Sequence, residues 1–247
     1  YKCIQNIIDG DLIPDSIMLC VSREAFLMDE GIESLPEEFS KFGDILDVRW
    51  VPNDGPNRKF IYSFRDYRDD IVVIIDDDIH RDKSFLRDMV DAYYSGGGHI
   101  VATSGSKLFP VFVEGDDYWW YAKTFGRVGG FFKEDGHNKL LNNIMFWCGH
   151  GTLFDVESFS DKELSLICDV DMIRKMSPTS SEVWLNAAVR EMNMPILLKK
   201  DRIIFLEGTQ DKCLHKTVHR NESVKQLNFF FCQKYFRKEF EKGGRGI

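Results

Sequence analysis

The strongest hydrophobic signal along the chain is Ile71–Ile75 (IVVII), five consecutive β-favouring residues of the kind found in strands covered by helices on both faces. It predicts a central parallel strand. Shorter apolar runs predict further strands at Ile17–Val21 (IMLCV), at 46–51 (LDVRWV, which alternates) and at 100–103. Strand character returns at 145–154, at Ile196–Leu198 and at 203–205. Helical spacing is predicted over 1–8, 59–67, 84–94 and 182–192, with a helix start near Pro36. In 84–94 the apolar positions are 85, 86, 89, 90 and 93, and Gly96-Gly97-Gly98 ends the segment. The stretch from 108 to 132 is rich in aromatics without a clean period, and predicts an irregular region or short strands.

A chain of 247 residues, 43% hydrophobic and 29% charged, is long enough for one α/β domain with a proper core. The formal charge of −8 argues against a nucleic-acid partner, which would need clustered Lys and Arg to neutralise phosphates. No run reaches the ~18 apolar residues of a membrane span, and the first residues lack the apolar core of a secretion signal. The six cysteines follow no zinc-type spacing, so reduced, mostly buried thiols and a cytoplasmic location are expected. Because the sequence opens directly in a helical pattern, a strand is expected to precede it. The domain is expected to span 1–240, with 241–247 a flexible tail.

Chemistry concentrates where Ile71–Ile75 runs into Asp76-Asp77-Asp78. Three adjoining carboxylates at the end of a buried strand repel one another unless a cation offsets them. A hard divalent ion, Mn²⁺ or Mg²⁺, fits oxygen donors, and ligands of open α/β sheets bind beyond the carboxyl ends of strands. Period two along an extended chain would send Asp76 and Asp78 to one side and Asp77 to the other. Acidic residues also simply terminate strands and start turns. An Asp-x-Asp after an apolar strand equally suits a phosphohydrolase with Asp76 as nucleophile, although the residues after Asp78 lack the usual Thr or Val.

Several segments in order resemble bacterial cell-surface polysaccharide glycosyltransferases of the GT-A fold. They are Pro14-Asp15-Ser16-Ile17-Met18-Leu19-Cys20-Val21-Ser22, Asn53-Asp54-Gly55-Pro56-Asn57-Arg58-Lys59, Ile74-Ile75-Asp76-Asp77-Asp78-Ile79, Cys148-Gly149-His150-Gly151-Thr152-Leu153-Phe154 and Ser181-Glu182-Val183-Trp184-Leu185. The resemblance covers most of residues 1–230 and departs at Ser181-Glu182, where the family commonly carries two acidic residues. It implies a single GT-A-like (Rossmann-like) domain with a central mixed, mostly parallel sheet flanked by helices. It implies transfer of a sugar from a nucleoside-diphosphate donor, with UDP favoured, to a saccharide or glycolipid hydroxyl in surface-glycan synthesis. Such an enzyme would work in the cytoplasm, with at most peripheral association at the inner face of the membrane.

Asp78 is expected to meet the metal, with Asp76 at the ribose or the metal and Asp77 beside them at the nucleotide. Lys59 would neutralise a donor phosphate or stand as an ordinary exposed lysine, and Asp54 would contact the ribose or stabilise its turn. Glu182 would be the general base or an exposed first-turn helix residue. Inversion follows if Glu182 is reachable, and retention if no base is. Gly149 and Gly151 would let a sugar approach the backbone or mark a bulge, with His150 between them on the acceptor side. Trp119 and Trp120, within Tyr118-Trp119-Trp120-Tyr121 beside Asp116-Asp117, are candidates for stacking on sugar rings. Trp184 reads as core. His215 and His219 share one helix face if helical, and a late histidine such as His219 completes a metal site in this fold type. A catalytically silent carbohydrate-binding or scaffold subunit would keep the same pattern.

Overall fold

A computed structural model describes residues 1–26, 29–112, 118–122, 140–141, 144–199, 203–206 and 222–242. The fold is mixed α/β. Helix α1 (Lys2–Ile8) precedes a parallel pair, β1 (Ile17–Val21) and β2 (Leu46–Trp50), with Ile17 opposite Leu46. The expected helix after Pro36 is instead a 3-10 segment, Glu37–Ile45, broken at Gly43 with φ 55°. Helix α2 (Arg58–Asp66) leads into β3 (Ile71–Ile75), an acidic turn and the short β4 (Ile79–His80). Helix α3 (Phe85–Gly96) ends on Gly97, whose left-handed φ of 65° suits a residue without Cβ.

Strands β5 (Ile100–Ala102), β6 (Gly105–Phe112), β7 (Tyr118–Ala122), β8 (Leu140–Leu141), β9 (Ile144–Phe146) and β10 (His150–Asp155) follow. Then come α4 (Asp161–Ile167), α5 (Val170–Met176), α6 (Ser181–Glu191), β11 (Ile196–Leu198), β12 (Ile204–Phe205) and α7 (Glu222–Glu241). The expected tail therefore begins on the last residue of α7, and 243–247 lie outside the described residues.

The largest sheet has the order β3-β10-β5-β11-β8. Of its four pairings only β5–β11 is parallel, and β3 stands at the edge of this sheet, paired antiparallel with β10, so the expectation of a mostly parallel sheet with a central parallel strand at 71–75 is corrected. An unbroken apolar run reports burial of both faces, not strand direction. The burial itself is real: Val72 and Ile74 pack against a cluster containing Phe60 and Phe64 of α2 and Trp184 of α6, while Ile71, Val73 and Ile75 pack against Phe85 and Met89 of α3.

Two further segments differ from the pattern. Part of the aromatic stretch is regular, with β6 pairing antiparallel to β7 so that Phe109 lies opposite Tyr121. The single strand expected over 145–154 is split into β9 and β10 by a turn at Trp147–Gly149. Helices α4, α5 and α7 were not signalled by the periodicity used above. Among the described residues no helix is long and apolar enough to cross a membrane.

Candidate active site

Because β10 runs antiparallel to β3, its first residue, His150, pairs with the last residue of β3, Ile75. This puts the glycine-flanked histidine beside the acidic turn at the carboxyl end of β3. The Asp76 amide donates to the Gly149 carbonyl at 2.7 Å, and the Asp76 carboxyl lies directly over the Gly149 α-carbon, where any Cβ would overlap it. Lys59, the second residue of α2, reaches across to Asp76 Oδ1 at 2.6 Å.

The triplet is not extended. Asp77 and Asp78 form a turn, so the two-sided alternation expected for an extended chain does not apply. Several elements pin this turn. The Leu206 amide donates to the Asp78 carbonyl at 2.7 Å, and β12 pairs with β4 so that Ile204 lies opposite His80. From α1, the Cys3 thiol contacts the Asp76 carbonyl at 3.5 Å. Also from α1, the Asn6 amide side chain brackets Arg81, accepting from its backbone N–H at 2.6 Å and donating to its carbonyl at 3.0 Å.

Charge is unevenly matched around the turn. Burial works against ionisation of Asp76, but the Lys59 ammonium, with smaller help from His150 and Arg81, outweighs it and holds the carboxyl below its usual range. Lys59 is likewise opposed by burial, and the carboxylates of Asp76 and Glu182 nevertheless hold its pKa above the ordinary value. At Asp78 the balance goes the other way: burial, together with the charges of Asp76 and Asp77, outweighs the smaller help from a backbone hydrogen bond and Lys59 and pushes it up to about 6. Burial also lowers the pKa of His150, against the opposing charges of Asp76 and Glu182. Lys59, Asp76, Glu182 and His150 thus form one electrostatic group drawn from α2, the acidic turn, α6 and β10.

Glu182 sits in the first turn of α6, where Ser180 caps the helix, and the Ser180 hydroxyl donates to Glu182 Oε2 at 3.3 Å. Asn186, one turn on, ties α6 to β9 by exchanging hydrogen bonds with both backbone groups of Phe146 at 2.8 and 2.9 Å. Trp184 is fully buried, its indole N–H bonded to the Ile167 carbonyl at 2.7 Å, in keeping with a core role.

Other expected site residues have different work. The Asp54 carboxylate is 1% exposed and accepts from Arg174 at 2.7 Å and from the Tyr62 hydroxyl at 2.7 Å. At Gly149 the absence of a Cβ leaves room for the Asp76 carboxyl. Gly151, with φ 97° at a β-bulge, admits Phe85 and Arg81, since a Cβ there would press on both. Asp77 is exposed at the tip of the turn. Trp119 and Trp120 lie in β7, opposite Val111 and Pro110, but their side chains lie outside the described residues. Asp116, Asp117, His215 and His219 also lie outside the described residues.

Two contributors went unnoticed in the sequence. Arg81 is 1% exposed, with its guanidinium 4.7 Å from the centre of the Phe85 ring, and it adds positive charge behind the carboxylates. Ser104 places its hydroxyl 3.0 Å from His150 Nδ1. The glycine at 151 was the available signal for Arg81, because a glycine within a strand often marks a close approach of another group.

Among the described residues no three His, Cys, Asp or Glu side chains converge as a self-sufficient metal cage. The donor set suits a hard cation held partly by a second ligand: Asp78 carries a carboxyl whose ionisation is opposed by its two neighbours, which a nearby cation would relieve. The sequence matches no protein-family model, and no curated protein shows significant similarity to it.

Proposed function

We propose that this chain is the catalytic domain of a metal-dependent glycosyltransferase with a GT-A-like fold. It moves a sugar from a nucleoside-diphosphate donor, with UDP the favoured nucleotide, to a saccharide or glycolipid hydroxyl. The observation that carries the reading is the convergence, at the carboxyl end of β3, of an ammonium, a crowded acidic turn, a glutamate and a histidine. A diphosphate needs cationic partners, and an acceptor hydroxyl needs a proton acceptor.

Asp78, with Asp77 and Asp76 beside it, would hold Mn²⁺ or Mg²⁺, and such an ion supplies Lewis-acid stabilisation of charge on the leaving diphosphate. Lys59 is the side chain best matched to a phosphate oxygen. On reaching for one it would exchange part of its contact with Asp76 for the ligand. Glu182 and His150 belong to the same group and are the residues able to receive a proton. The phosphohydrolase reading is less favoured, because the Asp76 carboxyl is held by Lys59 and packed over Gly149 rather than presented for attack.

A thermal-shift panel of nucleoside diphosphates with and without Mn²⁺ tests the proposal, since a ligand bound only by the folded state raises the melting temperature. A shift requiring both UDP and Mn²⁺ is expected, and Asp78→Ala should remove its metal-dependent part. No shift from any nucleotide in the presence of metal would sink the reading. Phosphate release from simple phosphate esters would favour the hydrolase. UDP–Mn²⁺ binding without turnover of any sugar nucleotide would favour a silent subunit.

A further inference from the structure

We propose that His150, rather than Glu182, takes the proton from the attacking hydroxyl, and that Ser104 positions its ring for this step. The inference rests on the transferase reading above.

The imidazole is held on several sides. The Ser104 hydroxyl lies 3.0 Å from Nδ1, the Trp147 ring lies 6.1 Å away between centroids, and the Phe205 ring meets it edge-on at 5.7 Å. The backbone beneath is fixed as well, because the Thr103 hydroxyl donates to the His150 carbonyl at 2.5 Å and to the Gly151 carbonyl at 3.1 Å. With Nδ1 engaged, Nε2 is the nitrogen left to meet a ligand. When Nδ1–H donates to Ser104 Oγ, Nε2 carries the lone pair that a base requires.

The charged groups around the ring suit a proton that arrives only during reaction. Asp76 faces it from the acidic turn, Glu182 from α6, Lys59 from α2 and Arg81 from the segment after β4. Burial and the two cations oppose charge on the imidazole, and the two carboxylates are in place to stabilise it once protonated. Glu182 is less suited to the step. Its Oε2 already accepts from Ser180, and its charge is shared with the Lys59 ammonium, so it serves better as the partner of a protonated His150.

The chemistry balances as a single displacement. The O–H bond of the acceptor breaks and its proton goes to Nε2, while the oxygen forms a bond to the anomeric carbon. The bond from that carbon to the diphosphate oxygen breaks, and its electron pair leaves with the nucleoside diphosphate. The proton then passes to solvent. Water can stand in for the acceptor, so UDP release from UDP-hexoses is a usable readout.

In His150→Ala the UDP–Mn²⁺ thermal shift should be unchanged while kcat for UDP release falls by ~10²–10³, within the range for loss of a general base. Added imidazole should restore at least about a tenfold gain in that variant and none in the wild type, which a purely structural defect would not show. Ser104→Ala should lower kcat by about tenfold with KM unchanged, because the ring is then free to turn. UDP release by His150→Ala at close to the wild-type rate, or a larger loss in Glu182→Gln without imidazole rescue of His150→Ala, would overturn the assignment. Wild-type protein that fails to bind UDP–Mn²⁺, or that binds it and turns over no sugar nucleotide, overturns the transferase reading itself, whereas active wild-type protein matched by an equally active His150→Ala overturns only the role of His150.

Discussion

The ladder formed by β3 and β10 has two ends, and they treat charge differently. At the far end Asp155 pairs with Ile71, and its carboxylate is matched by near neighbours: the Tyr93 hydroxyl at 3.0 Å and His99 Nδ1 at 2.8 Å. Its backbone is equally settled, with the amide on the His99 carbonyl and the carbonyl receiving the Ser158 hydroxyl. At the near end three consecutive carboxylates face Lys59, Arg81 and a neutral histidine, and Asp78 remains too crowded to ionise normally. The same two strands therefore carry one end that is locally complete and one that is not. Residual charge of this kind is where a ligand finds something to complete.

Four substitutions would break or sharpen the contrast. Lys59→Met should have the largest effect, lowering kcat for UDP release by roughly 10²-fold, as loss of a preorganised electrostatic partner does. It should also weaken the UDP–Mn²⁺ thermal shift. An unchanged rate would place Lys59 among ordinary structural lysines. Gly149→Ala comes next, because the new methyl would displace the Asp76 carboxyl. About 1–3 kcal/mol of stability should be lost in chemical denaturation, in the range for overpacking. A neutral result would mean that the turn has room to move.

Asp78→Asn acts in the opposite direction on stability. The folded protein holds the Asp78 proton up to about pH 6, above the ordinary 3.8, so folding is favoured at low pH and this contribution is lost as pH rises through 6. Without metal the Asn variant should be more stable than wild type by about 1–2 kcal/mol at pH 7.5, allowing for solvent screening, and equal to it near pH 4. Equal melting temperatures at both pH values would remove the claim of crowding. Asp155→Asn should matter least, costing about 1 kcal/mol or less and leaving the UDP–Mn²⁺ shift intact. A lost shift there would erase the distinction between the two ends.

Much of this site was legible in the sequence, because its elements are local. The apolar run of β3, the acidic residues that end it, and the position of Lys59 near the start of α2 all follow from a few adjoining residues. Glu182 was readable because Ser180-Ser181-Glu182 opens an apolar helical pattern. What escaped depends on distant pieces. Arg81 lies in His80-Arg81-Asp82-Lys83, which looks like a solvated run, and only Asn6, Phe85 and Gly151 together bury it. Asp54 read as a ribose contact or a turn residue, and its ion pair with Arg174, 120 positions away, could not be read from its neighbours. The antiparallel course of β10 was equally hidden, since direction is set by how the chain returns and not by the composition of the strand. Helix α4 could have been found: Ser160 and Glu163 form a capping box, the S-x-x-E pattern that opens many helices.

The clasp that α1 places on the acidic turn also bears on the order of assembly. Cys3 meets Asp76 across 73 positions, Asn6 meets Arg81 across 75, and the amide that bonds Asp78 belongs to Leu206. Contacts so far apart in sequence close large loops and form slowly relative to the helices they join. The acidic turn should therefore be among the last parts to become ordered during refolding. UDP–Mn²⁺ binding would then report completion of folding, lagging the recovery of helical signal.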